Sequence, residues 1–203
     1  MKQRIITAAF ILAATIPILA FSRYIEYPIV LSLLAAIGVF EILRVLSLLR
    51  EYLVMIPAFL IALAAPVLPY CVYLFPREEK VLSADEVRTC LMVLALVYFA
   101  LLLYLFAVAV FRHGHMTVAD IATLFFMVVY VVTSFTAMSL IRYMQNGVYA
   151  FALIFIAAWI SDVFAYFIGS FFGRHKLIPE VSPKKTVEGS IGGIVFATAA
   201  FVL

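Results

Sequence analysis

The residues best suited to chemistry are Asp162 and the pair Lys184-Lys185, because the chain around them is overwhelmingly apolar. Asp162 stands inside a greasy helical run, where a carboxylate costs a few kcal/mol unless it is paired or hydrated. It either acts on an ion or ligand, or pairs with a nearby cation or backbone donor to settle a helix bundle. Tyr166, Gly169 and Gly173 follow at i+4, i+7 and i+11 and share its helical stripe. Small residues there let a backbone or a ligand come close. Downstream, Ser182-Pro-Lys-Lys-Thr-Val-Glu-Gly sets two point charges for phosphate oxygens beside the hydroxyls of Ser182 and Thr186, with Pro183 stiffening the turn. Arg174 and Lys176 add positive charge against Glu180 and Glu188. Gly189, Gly192 and Gly193 then open a helix whose amino-terminal amides would face the same anion. Each feature also has a plainer use. The basic loop can be a membrane-orienting anchor, and Gly189-xxx-Gly193 can be a helix-packing motif. No GxxxxGK[ST] pattern is present, so this is not a P-loop.

Other polar residues read as structural. Glu41 and Arg44 are spaced to pair or to snorkel at a membrane interface. Thr117 followed by Asp120 predicts a capped helix start. His113 and His115 lack the carboxylate or cysteine companions of a metal site. Cys71 and Cys90 form no ligand or redox motif and are expected to pack, while Trp159 and the many Phe and Tyr serve as core and interfacial-belt residues.

The elements that must position these groups are membrane spans. Of 203 residues, 67% are hydrophobic and 12% charged, against about 45–50% and about 25% in soluble domains. Continuous apolar runs argue against a barrel. The fold class is therefore all-α, a polytopic transmembrane bundle. Spans are expected at Ile5–Phe21, Pro28–Leu49, Leu53–Phe75, Val87–Phe111, Val118–Ile141 and Val148–Phe171, with a seventh beginning at Ile191. Pro57, Pro66 and Pro69 predict a kinked or broken third span. Lys2 and Arg4 precede a first run that resembles a signal peptide, but Ile18 sits where cleavage after Ala20 would want a small residue, so a retained helix is expected. The division is one integral-membrane domain, with amino-terminal spans over 1–147 and part of a catalytic region over 148–203. Alternate connections carry nine Lys and Arg on the amino-terminal side against five on the other, which puts the amino terminus and the Phe172–Gly189 loop in the cytoplasm, with the nucleotides. The 13 residues from Ile191 to Leu203 would cover only about 20 Å, so the chain is expected to be a fragment of a longer protein.

The stripe Asp162-xxx-Tyr166-xx-Gly169, the turn Phe172-Gly173-Arg174 and above all Ser182 through Gly193 resemble the bacterial phosphatidate cytidylyltransferase, or CDP-diacylglycerol synthase, family. The resemblance is specific over about the last forty-five residues and compositional before them. It implies a helical membrane enzyme, often dimeric, of the bacterial inner membrane. Such an enzyme joins CTP and phosphatidate into CDP-diacylglycerol and pyrophosphate with Mg2+ or another divalent cation, and has no nucleic-acid partner. It implies catalytic roles for Lys184, Lys185 and Asp162, and nucleotide or phosphate binding by Ser182, Thr186, Glu188, Gly189, Gly192, Gly193 and Arg174. The metal ligands are unknown: the family's acid-rich carboxy-terminal signature does not occur before Leu203, its acids are expected beyond that residue, and the 203-residue chain is expected to be inactive alone. Two alternatives remain open, a CTP-dependent polyprenol or other lipid kinase, and a transporter or structural membrane protein with Asp162 as ion relay.

Overall fold

The computed structural model describes Ser22 and residues 24–74, 81–112 and 117–202. The expected first span and the His113/His115 pair lie outside them. The chain forms two compact units, Met1–Gly147 and Val148–Leu203.

In the first unit the helices are α1 (Glu26–Val45), α2 (Tyr52–Ala64), a 3-10 turn (Ala65–Val67), α3 (Leu68–Tyr73), α4 (Ala84–Phe111) and α5 (Val118–Tyr143). The four longer helices α1, α2, α4 and α5 each bury a stripe at helical spacing: Ala35, Val39 and Leu43; Val54, Ala58 and Ala62; Leu94, Tyr98, Leu101 and Leu105; Ile121, Leu124, Val128 and Val132. These stripes make one core, while large apolar residues such as Leu33, Leu60, Leu96 and Phe126 face outward, as they do where lipid replaces water. The α2–α3 segment breaks at the 3-10 turn, which holds Pro66, with Pro69 in the first turn of α3, in line with the expected kinked or broken span. Pro57 stays inside α2. Having no N–H, it leaves the Leu53 carbonyl short of its helical donor, and the Tyr104 hydroxyl of α4 donates to that carbonyl at 2.9 Å. Ser32 likewise donates to the Leu63 carbonyl at 2.8 Å, just before the broken turn.

Helix starts are fixed by capping boxes, Ser83 with Glu86 and, as the sequence predicts, Thr117 with Asp120. One smaller expectation needs correction, that Cys71 packs inside. Glu41 and Arg44 are both exposed and form no ion pair among the described residues. Glu51 instead meets Arg112 at 2.8 Å, linking the start of α2 to the end of α4. Cys90 is buried as expected, but Cys71 is exposed.

The second unit contains α6 (Gly147–Phe171, whose first residue closes the first unit), strands β1 (Lys176–Ile178) and β2 (Ser182–Thr186), and α7 (Val187–Val202). Among the described residues five helical segments, α1, α2 through α3, α4, α5 and α6, are long and apolar enough to cross a membrane, whereas α7 is shorter. The protein is an integral membrane protein whose described elements are all helical but for one antiparallel hairpin. That hairpin occupies what the sequence shows only as a proline-punctuated loop. It also moves the start of the last helix to Val187, ahead of Ile191.

Candidate functional site

The site is built where α6, the hairpin and α7 meet. α6 and α7 approach so closely that their glycines leave no room for side chains. A Cβ on Gly189 would lie 2.6 Å from the Ala165 carbonyl oxygen and 3.0 Å from the Gly169 Cα. One on Gly193 would lie 2.8 Å from the Ser161 carbonyl oxygen. Gly192 is closed off by the Ile168 side chain. Further along, Phe164 stacks on Phe196 with centroids 3.9 Å apart. The glycine cluster therefore serves helix packing, the plainer of its two uses, through direct backbone approach.

Thr186 joins this contact to the hairpin. It is buried, and its Oγ1 accepts from the Gly189 N–H at 3.2 Å, capping α7. A Cβ on Gly169 would lie 2.9 Å from the same hydroxyl. Ser190 donates to the Thr186 carbonyl at 3.1 Å. Thr186 and the Gly189 amide are thus engaged with each other.

The lysines sit on a register break. Ile178 pairs with Ser182 and Lys176 with Thr186, so β1 advances two residues while β2 advances four. Pro183, Lys184 and Lys185 bulge opposite Leu177, a place where Pro, lacking an amide hydrogen, costs no ladder bond. All three are exposed, as are Arg174 and Lys176, whereas Ser182 is half-buried. Arg174, Lys176, Lys184 and Lys185 form no ion pair among the described residues. The hairpin thus presents four unneutralised cations on a short, anchored ribbon.

Glu188 does not neutralise them because it is held elsewhere. Its Oε1 lies 2.7 Å from His175 Nδ1, and its two carboxylate oxygens accept from the His175 N–H at 3.2 and 3.3 Å. Hydrogen bonds from its own backbone amide, then from the His175 ring and from the amides of His175 and Arg174, outweigh the opposing effect of partial burial and hold its carboxyl down at about 2. His175 is the residue that sequence reasoning passed over. A histidine beside a glycine turn and an acid in the next helix's first turn were visible, but the hairpin that joins them across thirteen positions was not.

Asp162 lies apart from this cluster. Seven residues before Gly169, it is roughly 10 Å back along the α6 axis, beside the Ser161 that meets Gly193. It is exposed and makes no hydrogen bond or ion pair with the described residues. No group of three or more His, Cys, Asp or Glu converges to hold a metal among the described residues.

Comparison with known proteins places this geometry. Residues 2–203 match the cytidylyltransferase family. The chain belongs to that family. Phosphatidate cytidylyltransferase of Bacillus subtilis is 34% identical over 201 residues, covering 97% of this chain and 68% of that protein. The enzyme of the same name from Aquifex aeolicus is 45% identical over 64 residues, 32% of this chain and 25% of the relative, and that from Haemophilus influenzae is 46% identical over 52 residues, 26% and 18%. The matched stretches thus span 68% of the Bacillus relative and a quarter or less of the other two. No solved structure matches the chain. The family resemblance first seen around Ser182–Gly193 extends to nearly the whole sequence.

Proposed function

We propose that the protein transfers a cytidylyl group from CTP to phosphatidate, releasing pyrophosphate, on the cytoplasmic side of a bacterial inner membrane. One observation carries this reading beyond family membership: the exposed lysines of the β2 bulge, without an ion-pair partner among the described residues and seated on a closely packed helix pair. A phosphatidate oxygen attacks the α-phosphorus of CTP, the new P–O bond forms as the bond to the β-phosphate breaks, and pyrophosphate leaves with that electron pair. No covalent enzyme intermediate is needed. What the step demands is alignment of two anions and neutralisation of the charge they bring together.

Lys184 and Lys185 supply that charge, Arg174 extends it, and Ser182 offers a hydroxyl at the edge of the bulge. Asp162 enters as a carboxylate on the exposed side of α6 with no competing partner among the described residues. The reading includes a divalent cation and a homodimer, both from the family resemblance, and no nucleic acid. The described residues assemble no carboxylate cluster for the cation, so no step is assigned to it.

The test is radiolabelled CDP-lipid formation from CTP and phosphatidate by the full-length protein with magnesium, together with stoichiometric pyrophosphate. Labelled phosphate passing to a lipid alcohol, with CDP as the other product, would replace this reading with lipid phosphorylation. Orientation is tested separately: a cysteine at exposed Val181 in the hairpin turn should react with impermeant thiol reagents only in opened cells. Labelling in intact cells would remove the site from its nucleotide.

A further inference from the structure

We propose that His175 is a positioning residue for cytidylyl transfer, acting through Glu188 as a clamp that closes the hairpin and keeps that carboxylate off the lysines. What the bulge binds rests on the functional reading above; the clamp rests on geometry alone.

A two-stranded ribbon is marginal by itself, and this one has a register break in its middle. Its two ends are tied at one place. The Val187 N–H donates to the His175 carbonyl at 3.0 Å, the His175 N–H reaches both Glu188 oxygens, and the ring Nδ1 meets Oε1 at 2.7 Å. Residues 175 and 188 flank the hairpin, so these bonds close it at its base, next to the Thr186 cap that joins it to α7. The bulge is thereby fixed relative to the helix pair.

The charge consequence follows from the same bonds. A glutamate at the base of a hairpin flanked by Arg174 and carrying Lys176, Lys184 and Lys185 would ordinarily pair with one of them. Here its side chain is the more sheltered partner, 27% exposed against 80% for His175, and its oxygens are taken by the ring and by amides. Releasing it would let a carboxylate compete with phosphate for Lys184 or Lys185.

The test uses the full-length protein with His175→Ala, His175→Asn and His175→Gln. Asn carries its amide nitrogen near the position of Nδ1, whereas Gln carries it near Nε2, so a clamp through Nδ1 is rescued by Asn. Hydrogen exchange over 176–187 should rise in the Ala and Gln variants and return towards wild type in Asn. Turnover with CTP should fall by about 10- to 100-fold in Ala and Gln, the scale of a misplaced site, with KM for phosphatidate unchanged and most of the loss recovered in Asn. Inorganic pyrophosphate titrated into the same proteins should bind about tenfold more weakly to Ala than to Asn. Unchanged exchange in Ala, or raised exchange with wild-type kinetics, overturns the proposal. Rescue by Gln in place of Asn also overturns it, since Nε2 would then be the working atom. If the wild type makes no CDP-lipid, the functional reading falls by itself, and exchange with pyrophosphate binding still decides the clamp.

Discussion

The two compact units of this chain are each packed internally by a different means. In the first, helices meet through medium-sized side chains such as Val39, Leu124 and Val128, and the proline defect at Pro57 is met by the Tyr104 hydroxyl of a neighbouring helix. In the second, α6 and α7 meet through glycines and backbone atoms, and the hairpin is seated on that contact by Thr186. A core of side chains is weakened by removing atoms and has some slack for repair. A contact of backbones tolerates no addition, because there is no flexible side chain to move. The region that carries the chemistry is thus the less forgiving one, which suits a ribbon whose lysines must be held in place.

The sharpest way to break this comparison is to add a single carbon in one unit and delete several in the other. Gly189→Ala would set a Cβ 2.6 Å from the Ala165 carbonyl oxygen, so the helices must part and the hairpin with them. Activity should fall by about 100-fold or more. Leu124→Ala should cost about 2–5 kcal/mol of stability yet leave the kinetics of the folded fraction near wild type. Equal kinetic damage from both would mean that the glycine contact is not what aligns the site.

Next in size are the lysines. Lys184→Ala or Lys185→Ala removes a cation that aims at developing phosphate charge, and about a 10- to 100-fold loss of turnover or CTP use is expected. Both side chains are exposed and unpaired among the described residues, so thermal stability and membrane insertion should hardly change. Full activity with disturbed topology would return these residues to the role of membrane anchors.

These two expectations differ in how visible their residues were. The spans, the break at Pro66 and Pro69 and the Thr117 cap are local: run length, a missing amide hydrogen and a capping box are properties of neighbours in sequence. Lys184, Lys185 and the glycines were visible as residue types, but their division of labour was not. Whether Gly189 faces an anion or another helix depends on where Ala165 and Gly169 lie, and whether Glu188 pairs with lysine or histidine depends on a hairpin closing over thirteen positions. The strands themselves are three and five residues long and rich in Lys and Pro, so no alternation marks them. The choice left open for Glu41 and Arg44 has a related reason: helical spacing permits a pair, but at an exposed position little compels one.

A smaller effect sharpens the first unit's side of the comparison. Tyr104→Phe removes the donor that meets the Leu53 carbonyl in place of the amide hydrogen missing at Pro57. Polar bonds between membrane helices are worth about 0.6 kcal/mol on average, and a modest drop in Tm is expected with unchanged turnover. A large loss of activity would show that the kinked segment and the site are coupled more strongly than the two packing modes suggest.

The smallest effect is a pH dependence confined to the hairpin. Glu188 has its carboxyl lowered from an ordinary 4.5 to about 2, so its folded form binds a proton less readily than its unfolded form. Its contribution is therefore fully present above 4.5 and is lost as pH falls from there through about 2. Because the group lies at the protein surface, solvent limits the size of this contribution, and the readout must be local. Protection of the amides over 176–187, corrected for intrinsic exchange, should hold steady from neutrality down to about 4.5 and then decline towards about 2. The α4 and α5 amides of the first unit, whose protection comes from apolar burial, should not follow that curve. Replacing Glu188 with Gln should remove the acid transition and leave protection low and flat. A decline that begins near neutral pH would show that something other than the Glu188 carboxylate closes the hairpin, and the contrast between a side-chain core and a clamped, backbone-packed site would then need a different hinge.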